Sequence, residues 1–249
     1  MSGAEAAGLA VRDDLGKYFG EFTGTFIMHD EANDRHIVYN EAQSVKPLPP
    51  CSTFKIYNSL IALETGVLDS DDANTLINQN GIEYSIGSWN YDHTLASATR
   101  DSVVWYFQEV ASRIGNQRMQ EYIDKMNYGN RDMSGGLTEF WLNSSLQISA
   151  WEQVNLLHRL YTGQLPFSAP HIEIVKGNIT QSKTEETWFM GKTGSARQGG
   201  RSVTGWFVGC VDKQGNRYFF ATNIEARDGA NSGKAREITV NILRDLGIL

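Results

Sequence analysis

The hydrophobic pattern changes period twice along the chain, and this limits the possible folds more than any other feature. Near the N-terminus, Phe22-Thr23-Gly24-Thr25-Phe26-Ile27-Met28 and His36-Ile37-Val38-Tyr39 read as strands flanking the polar turn Asp30 to Arg35. From Thr53 the spacing becomes helical, with Ile56, Leu60, Leu63 and Val67 on one face and Gly66 placed to cap the end. Further helices are predicted at Ser102 to Ile114, at Gln117 to Met126 and at Trp151 to Tyr161. The last of these opens on a capping box, Ser149 with Glu152, and closes at Gly163. A short helix is predicted after Pro170 toward Gln181. Strands return at Thr187 to Met190, at Val203 to Val211 and, after the turn Asp212 to Asn216, at Tyr218 to Asn223. A final amphipathic helix places Ile238, Ile242 and Leu246 on one face.

Strands at both ends with helices between them predict an α/β (α+β) fold. A mostly antiparallel sheet, completed by both termini, would be flanked by helices and carry a helical subdomain. The 249 residues are read as one domain, with a sheet region at about 18–50 and 185–249 and a helical region at about 51–184. Three of the five prolines, Pro47, Pro49 and Pro50, sit together. No long linker is left, and the backbone is forced to be extended just before Cys51. A site is expected in the cleft between the two regions.

Composition excludes several function classes. Lys+Arg 22 against Asp+Glu 29 gives a scattered net charge of −7, with no basic footprint for nucleic acid or a membrane surface. The longest apolar runs, such as Trp206 to Val211, fall far short of the roughly 20 residues of a membrane helix. Met1-Ser2-Gly3-Ala4-Glu5 does not begin a signal peptide. Cys51 and Cys210 lack metal-site spacing and read as two buried thiols, the alternative being a single bridge. The histidines His29, His36, His93, His158 and His171 are scattered, so no zinc site is expected. Gly191-Lys192-Thr193 resembles the end of a phosphate loop, but Glu186 stands where the first glycine is needed. No Gly-x-Ser-x-Gly elbow anchors a Ser-His-Asp hydrolase.

What remains is Ser52-Thr53-Phe54-Lys55, at the start of a predicted helix. Ser52 and Lys55 lie one turn apart on the same face. A serine hydroxyl is a weak nucleophile until a base takes its proton. Lysine can be that base only if burial lowers its pKa from about 10.4. The helix N-terminus adds free N–H groups at the same place.

Ser102-Val103-Val104, Tyr128-Gly129-Asn130, Phe140-Trp141-Leu142 and Lys192-Thr193-Gly194 follow in order. With Ser-Thr-Phe-Lys-Ile, Leu-Ile-Ala-Leu-Glu-Thr-Gly and Ser-Leu-Gln-Ile-Ser, this set resembles the class D (oxacillinase-type) serine β-lactamases. It is also similar to the penicillin-sensing domains of membrane receptors. The resemblance runs from about Phe22 to the end. It implies that Ser52 attacks the β-lactam carbonyl, with the backbone N–H groups of Ser52 and Ser195 as the oxyanion hole. It implies no metal and no separate cofactor, but CO2 carried on Lys55 as an N-carboxylate general base, with Trp141 donating to it. Phe54 and Val104 would keep the pocket apolar. Ser102 would relay a proton to the leaving nitrogen, helped by Lys192, while Thr193 and Gly194 line the substrate. A C-terminal base, Arg236 or Lys234, would face the substrate carboxylate. Asn130 reads as a brace for its loop. In the sensors the third residue of the Ser-x-Val element is typically polar; here it is Val104, which favours the hydrolase over the sensor. The expected partner is thus a small β-lactam, the expected state a monomer or homodimer. The expected location is outside the cytoplasmic membrane, with the export segment absent from this chain.

Overall fold

The computed structural model describes residues 8–249. Seven strands form one sheet: β1 (Leu9–Val11), β2 (Thr23–Asp30), β3 (Arg35–Tyr39), β4 (Thr180–Lys183), β5 (Thr187–Gln198), β6 (Arg201–Lys213) and β7 (Asn216–Glu225), in the order β1-β3-β2-β7-β6-β5-β4. Only β1 and β3 run parallel. The sheet is therefore completed by both ends of the chain, joined where β2 pairs with β7 from Thr23↔Glu225 to Asp30↔Tyr218. Its strands extend past the expected sheet region. β1 lies before residue 18, and β4 falls inside the stretch read as helical. Both are short, and the polar run of β4 shows no alternation for a pattern reading to detect.

Both faces of the sheet are covered, which explains the near-continuous apolar runs of β6 and β7. On one face Trp206, Val208, Cys210, Phe219 and Ala221 join the large core of the helical region. On the other, Phe207, Val211, Phe220 and Ile224 pack under α8 (Ser232–Asp245) with Ile238 and Ile242.

The helices are α1 (Glu41–Ser44), α2 (Lys55–Glu64), α3 (Leu95–Arg100), α4 (Val104–Ile114), α5 (Asn116–Met126), α6 (Ala150–Tyr161) and α7 (Ala169–Asn178), with α8 at the C-terminal end. The capping box of α6 forms: Ser149 Oγ accepts from Glu152 N, and Ser149 N donates to the Glu152 carboxylate. Three expectations shift. α2 ends before Val67, and Gly66 turns the chain with φ 66°. Ser102 does not open α4, which starts at Val104. β5 runs on from Met190 to Gln198 because its glycines and Lys192 interrupt the apolar alternation but not the pairing with β6. α3, with its own Thr94/Ser97 capping box, has no strong apolar stripe and was not predicted.

Close packing between β5 and β6 depends on Gly209, where a Cβ would sit 2.1 Å from Met190 O and 2.7 Å from Gly191 Cα. Both neighbours are backbone and cannot rotate away. Gly209→Ala is expected to destabilise the protein by about 2–4 kcal/mol, as overpacking against fixed atoms does. A shift of the urea midpoint measures this.

Candidate active site

The chain is extended at Leu48, which bridges to Ile148, but Pro50 just before Cys51 is helical with ψ −22° and not extended as expected, and at Cys51 the backbone turns into the left-handed region with φ 51°. A 3-10 turn over Cys51–Phe54 then runs directly into α2. Thr53 secures the turn: its Oγ1 donates to Pro50 O at 2.7 Å and accepts from Gln153 Nε2 of α6 at 2.9 Å. Left-handed backbone at a non-glycine residue costs of order 1–3 kcal/mol and persists only where the surroundings hold it. Here it presents Ser52, half-buried, at the mouth of α2, while Lys55 one turn on is fully buried. The neighbouring thiol does not compete as a nucleophile, because burial pushes Cys51 up to about 12 despite the opposing pull of Lys55.

Lys55 Nζ donates to Ser102 O at 2.6 Å and to Ser102 Oγ at 3.1 Å, and lies 5.2 Å from the Phe107 ring centre. Lys192 Nζ donates to the same Ser102 Oγ at 3.0 Å and to Thr193 O at 3.1 Å. One hydroxyl therefore stands between two lysines. Ser102 reaches it from a second left-handed position, φ 53°, in a loop that Trp89 secures by donating to Asp101 O. Among the described residues no carboxylate forms an ion pair with either lysine. Burial, and then the charge of Lys192, hold the Lys55 amine well below the ordinary lysine range, only weakly opposed by Cys51. Burial alone lowers Lys192 to about 8. Two unit charges some 5 Å apart repel by roughly 3 kcal/mol at an effective dielectric of 20, so the pair carries one proton more readily than two.

An aromatic cluster backs this pair. Phe54 lies against Trp141 at 5.8 Å, Phe140 at 5.2 Å and Tyr128 at 5.3 Å between ring centres, all buried. The Trp141 indole Nε1 is buried and has no hydrogen-bond partner. The loop bearing it is braced by Asn130, whose Nδ2 donates to Ser145 O at 2.9 Å and whose Oδ1 accepts from Gln147 N at 2.9 Å. Val104, the first residue of α4, is half-buried.

From the sheet side, a Cβ on Gly194 would lie 3.0 Å from Pro50 O and 3.3 Å from Ser52 N, so a side chain there would hold the strand off the turn. Next along the strand, Ser195 Oγ accepts from Ser232 N at 2.9 Å and ties β5 to the start of α8. The structure thus brings together Ser52, Lys55, Ser102, Lys192, Thr193 and Gly194. Arg236 stands one side chain back: its Nε donates to Gln181 Oε1 at 3.0 Å. Lys234 forms an exposed pair with Glu237 at 2.9 Å. Cys51 and Cys210 are separate buried thiols. Sequence reading missed Phe107 and Gln153. Helical spacing from the Ser-x-Val element and from the α6 capping box was the available signal, but only the packing shows which faces point at Lys55 and Thr53.

A serine one turn from a buried amine, with a second hydroxyl held between that amine and another, is equipped for acyl transfer to serine. The penicillin binding protein transpeptidase domain family matches residues 24–244. The probable β-lactamase YbxI of Bacillus subtilis (strain 168) is 40% identical over 93% of this chain and 84% of its own. The class D β-lactamase BAT-2 superposes with a TM-score of 0.88 at 37% identity, over 94% of this chain and 96% of that one. The C-terminal domain of the Bacillus licheniformis BlaR penicillin receptor gives 0.92 at 32% identity, over 99% of both chains. This chain spans 39% of the full-length BlaR1 regulatory protein of that organism. The chain belongs to the penicillin-binding-protein transpeptidase family, beside class D β-lactamases and penicillin-receptor domains.

A lysine buried without a carboxylate weakens the fold. Its folded pKa is lowered, so below the unfolded value of about 10.4 the unfolded chain binds a proton that the folded one refuses. Stability from this group is therefore lost as pH falls. In bicarbonate-free buffer, Lys55→Met is expected to raise stability by about 1–4 kcal/mol, the range for replacing buried charged groups with apolar ones of similar volume. Melting curves at pH 6 and pH 9 should show the larger gain at pH 6.

Proposed function

We propose that the protein hydrolyses β-lactam antibiotics through an acyl-enzyme on Ser52. The observation that carries this reading is the Ser102 hydroxyl held between Lys192 and Lys55, the latter one turn of helix from the half-buried Ser52. Ser52 Oγ attacks the lactam carbonyl, and its proton passes to the Lys55 side chain, whose pKa burial holds well below the ordinary lysine range. The developing oxyanion meets the backbone N–H groups of Ser52 and Ser195, a pair of which each donor is worth about 10²–10³ in rate. The close approach that Gly194 permits between β5 and Ser52 N supports that pairing. As the C–N bond breaks, the nitrogen takes the Ser102 proton, and Lys192 restores it through the 3.0 Å hydrogen bond. The proton on Lys55 passes through Ser102 to recharge Lys192, so Lys55 is again a base when water attacks the acyl carbon; it takes the water's proton and returns it to Ser52 Oγ as the C–O bond breaks and the product leaves.

CO2 adds only to an uncharged amine, and an N-carboxylate on Lys55 would supply an anionic general base for both halves of the reaction. The residues fit such a group: the amine is fully buried, the Phe107 ring lies against it, and the buried Trp141 N–H lacks an acceptor. Among the described residues no His/Cys/Asp/Glu cluster could hold a metal ion. The whole chain acts as one catalytic unit, as a monomer or homodimer, outside the cytoplasmic membrane where the drug arrives.

The close superposition on the BlaR receptor domain favours a second reading, a sensor that is acylated once and keeps the adduct. Both readings expect a covalent penicillin adduct by mass spectrometry that Ser52→Ala abolishes; an adduct surviving that change would reject the nucleophile. Excess benzylpenicillin separates them. Many equivalents of product per protein mark the hydrolase, and a single stoichiometric acylation marks the sensor.

The two lysines also set a pH profile. Activity is expected to rise with pH as Lys55 gives up its proton, then to fall above about 8 as Lys192 loses the charge that recharges Ser102. Added bicarbonate should raise kcat, most visibly on the acid side. A flat profile indifferent to bicarbonate would count against both assignments.

A further inference from the structure

Ser102 occupies a backbone position that usually belongs to glycine. α3 ends at Arg100, and the chain closes it with a Schellman motif. Ser102 N donates to Thr99 O at 3.3 Å and Val103 N to Ala98 O at 2.9 Å, with Ser102 at φ 53°. Glycine adopts that conformation at no steric cost, but it has no hydroxyl to stand between Lys55 and Lys192. The turn must therefore be held from outside.

That support reaches the peptide groups on both sides of Ser102. Lys55 Nζ donates to Ser102 O at 2.6 Å, and Trp89 Nε1 donates to Asp101 O at 3.1 Å. The lysine contact changes as Lys55 takes up and gives back a proton in the proposed reaction, whereas an indole N–H only donates. Trp89 is half-buried at the end of a single 3-10 turn, Gly87–Trp89, and needs an anchor of its own. Trp105 supplies it: its Nε1 donates to Trp89 O at 2.9 Å, and the residue is 5% exposed. A second tie comes from His93, whose ring donates to Ser88 O at 2.8 Å and lies 2.9 Å from Ser97 Oγ of α3. Trp105 is the second residue of α4, three after Ser102. Helical side chains lean toward the helix N-terminus, so its indole folds back over the preceding loop.

We infer that Trp105 is a positioning residue for Ser102: through Trp89 it holds the hydroxyl where it protonates the nitrogen that leaves when the lactam opens. This role rests on the acylation of Ser52, which the hydrolase and sensor readings share. Its effect is confined to one bond. When the C–N bond breaks, the nitrogen keeps the electron pair and takes the Ser102 proton, because an amide-type anion is too basic to leave alone. When the acyl donor is a thioester, the C–S bond breaks and sulfur leaves as a thiolate. Its thiol has a pKa of about 8.5, so no proton is needed. Both donors require Ser52 Oγ to lose its proton to Lys55. A displaced Ser102 therefore penalises the lactam and spares the thioester.

The test measures acylation rates per folded protein, by rapid quench and mass spectrometry, for benzylpenicillin and an open-chain phenylacetyl thioester. Trp105→Phe removes the N–H and keeps a ring. It is expected to lower the lactam-to-thioester rate ratio roughly 10- to 100-fold, the range for misplacing a general acid. Trp89→Phe, at a half-buried position, should do the same should Trp105→Phe not fold. Adding either change to Ser102→Ala should lower the ratio no further. Equal losses for both donors would mark a general loosening of the fold and overturn the assignment, as would an unchanged ratio or effects that add to Ser102→Ala. Amide hydrogen exchange at Ser102 and Val103 reads the two indoles without any chemistry. It should rise about tenfold or more in Trp105→Phe, and unchanged exchange also overturns the role. A wild-type protein acylated by neither donor would sink the serine mechanism, while exchange still decided whether the indoles hold Ser102.

Discussion

The site depends on one amine being kept dry. Lys55 emerges from the first turn of α2 fully buried, against the Phe107 ring, and among the described residues no carboxylate pairs with it. The cheaper state for such a group is the neutral one, and only a neutral amine can take a proton from a neighbouring hydroxyl. Lys192 reinforces this from across the cleft, because two ammonium groups sharing Ser102 Oγ repel. The same burial that weakens the fold at this point thus creates the base. Sites of this kind sit at a local minimum of stability that the rest of the protein supports.

That support comes from two directions. The sheet is packed on both faces, so β5 is held by its pairing along all of β6 and by the core under α8, and its register cannot slip without inverting every side chain. The helical region contributes the two left-handed residues, Cys51 and Ser102. Each is fixed by contacts from elsewhere: Gln153 reaches Thr53 in the turn after Cys51, and Trp89 holds the loop before Ser102. Strain at both positions points their hydroxyl-bearing neighbours or themselves into the cleft where sheet and helices meet.

Hydrolase and sensor readings share all of this architecture, which is why overall superposition does not divide them. The difference lies in whether the acyl-enzyme is released. The residue two after Ser102 is the apolar Val104 at the start of α4 rather than a polar one, which is the sequence feature that favours the hydrolase.

The alternation of strand, helix and strand regions, the α6 cap and the one-turn spacing of Ser52 and Lys55 were legible in the sequence, because periodicity and residue spacing are local properties. The resemblance added roles for Ser102, Trp141 and Lys192. Short or polar elements were not legible: β1 and β4 carry too few apolar residues, and β5 was cut short at Met190 by glycines whose purpose is contact with Pro50, Ser52 and Phe207. Nor could spacing choose between Arg236 and Lys234, since the direction of an exposed side chain on α8 is set by Gln181 and Glu237, one of them 55 residues away in the chain. Sequence alone determined which groups were available and which lay one turn apart. Tertiary structure alone decided their charge and their partners, because desolvation and hydrogen bonding depend on what is packed around a group rather than on what precedes it in the chain.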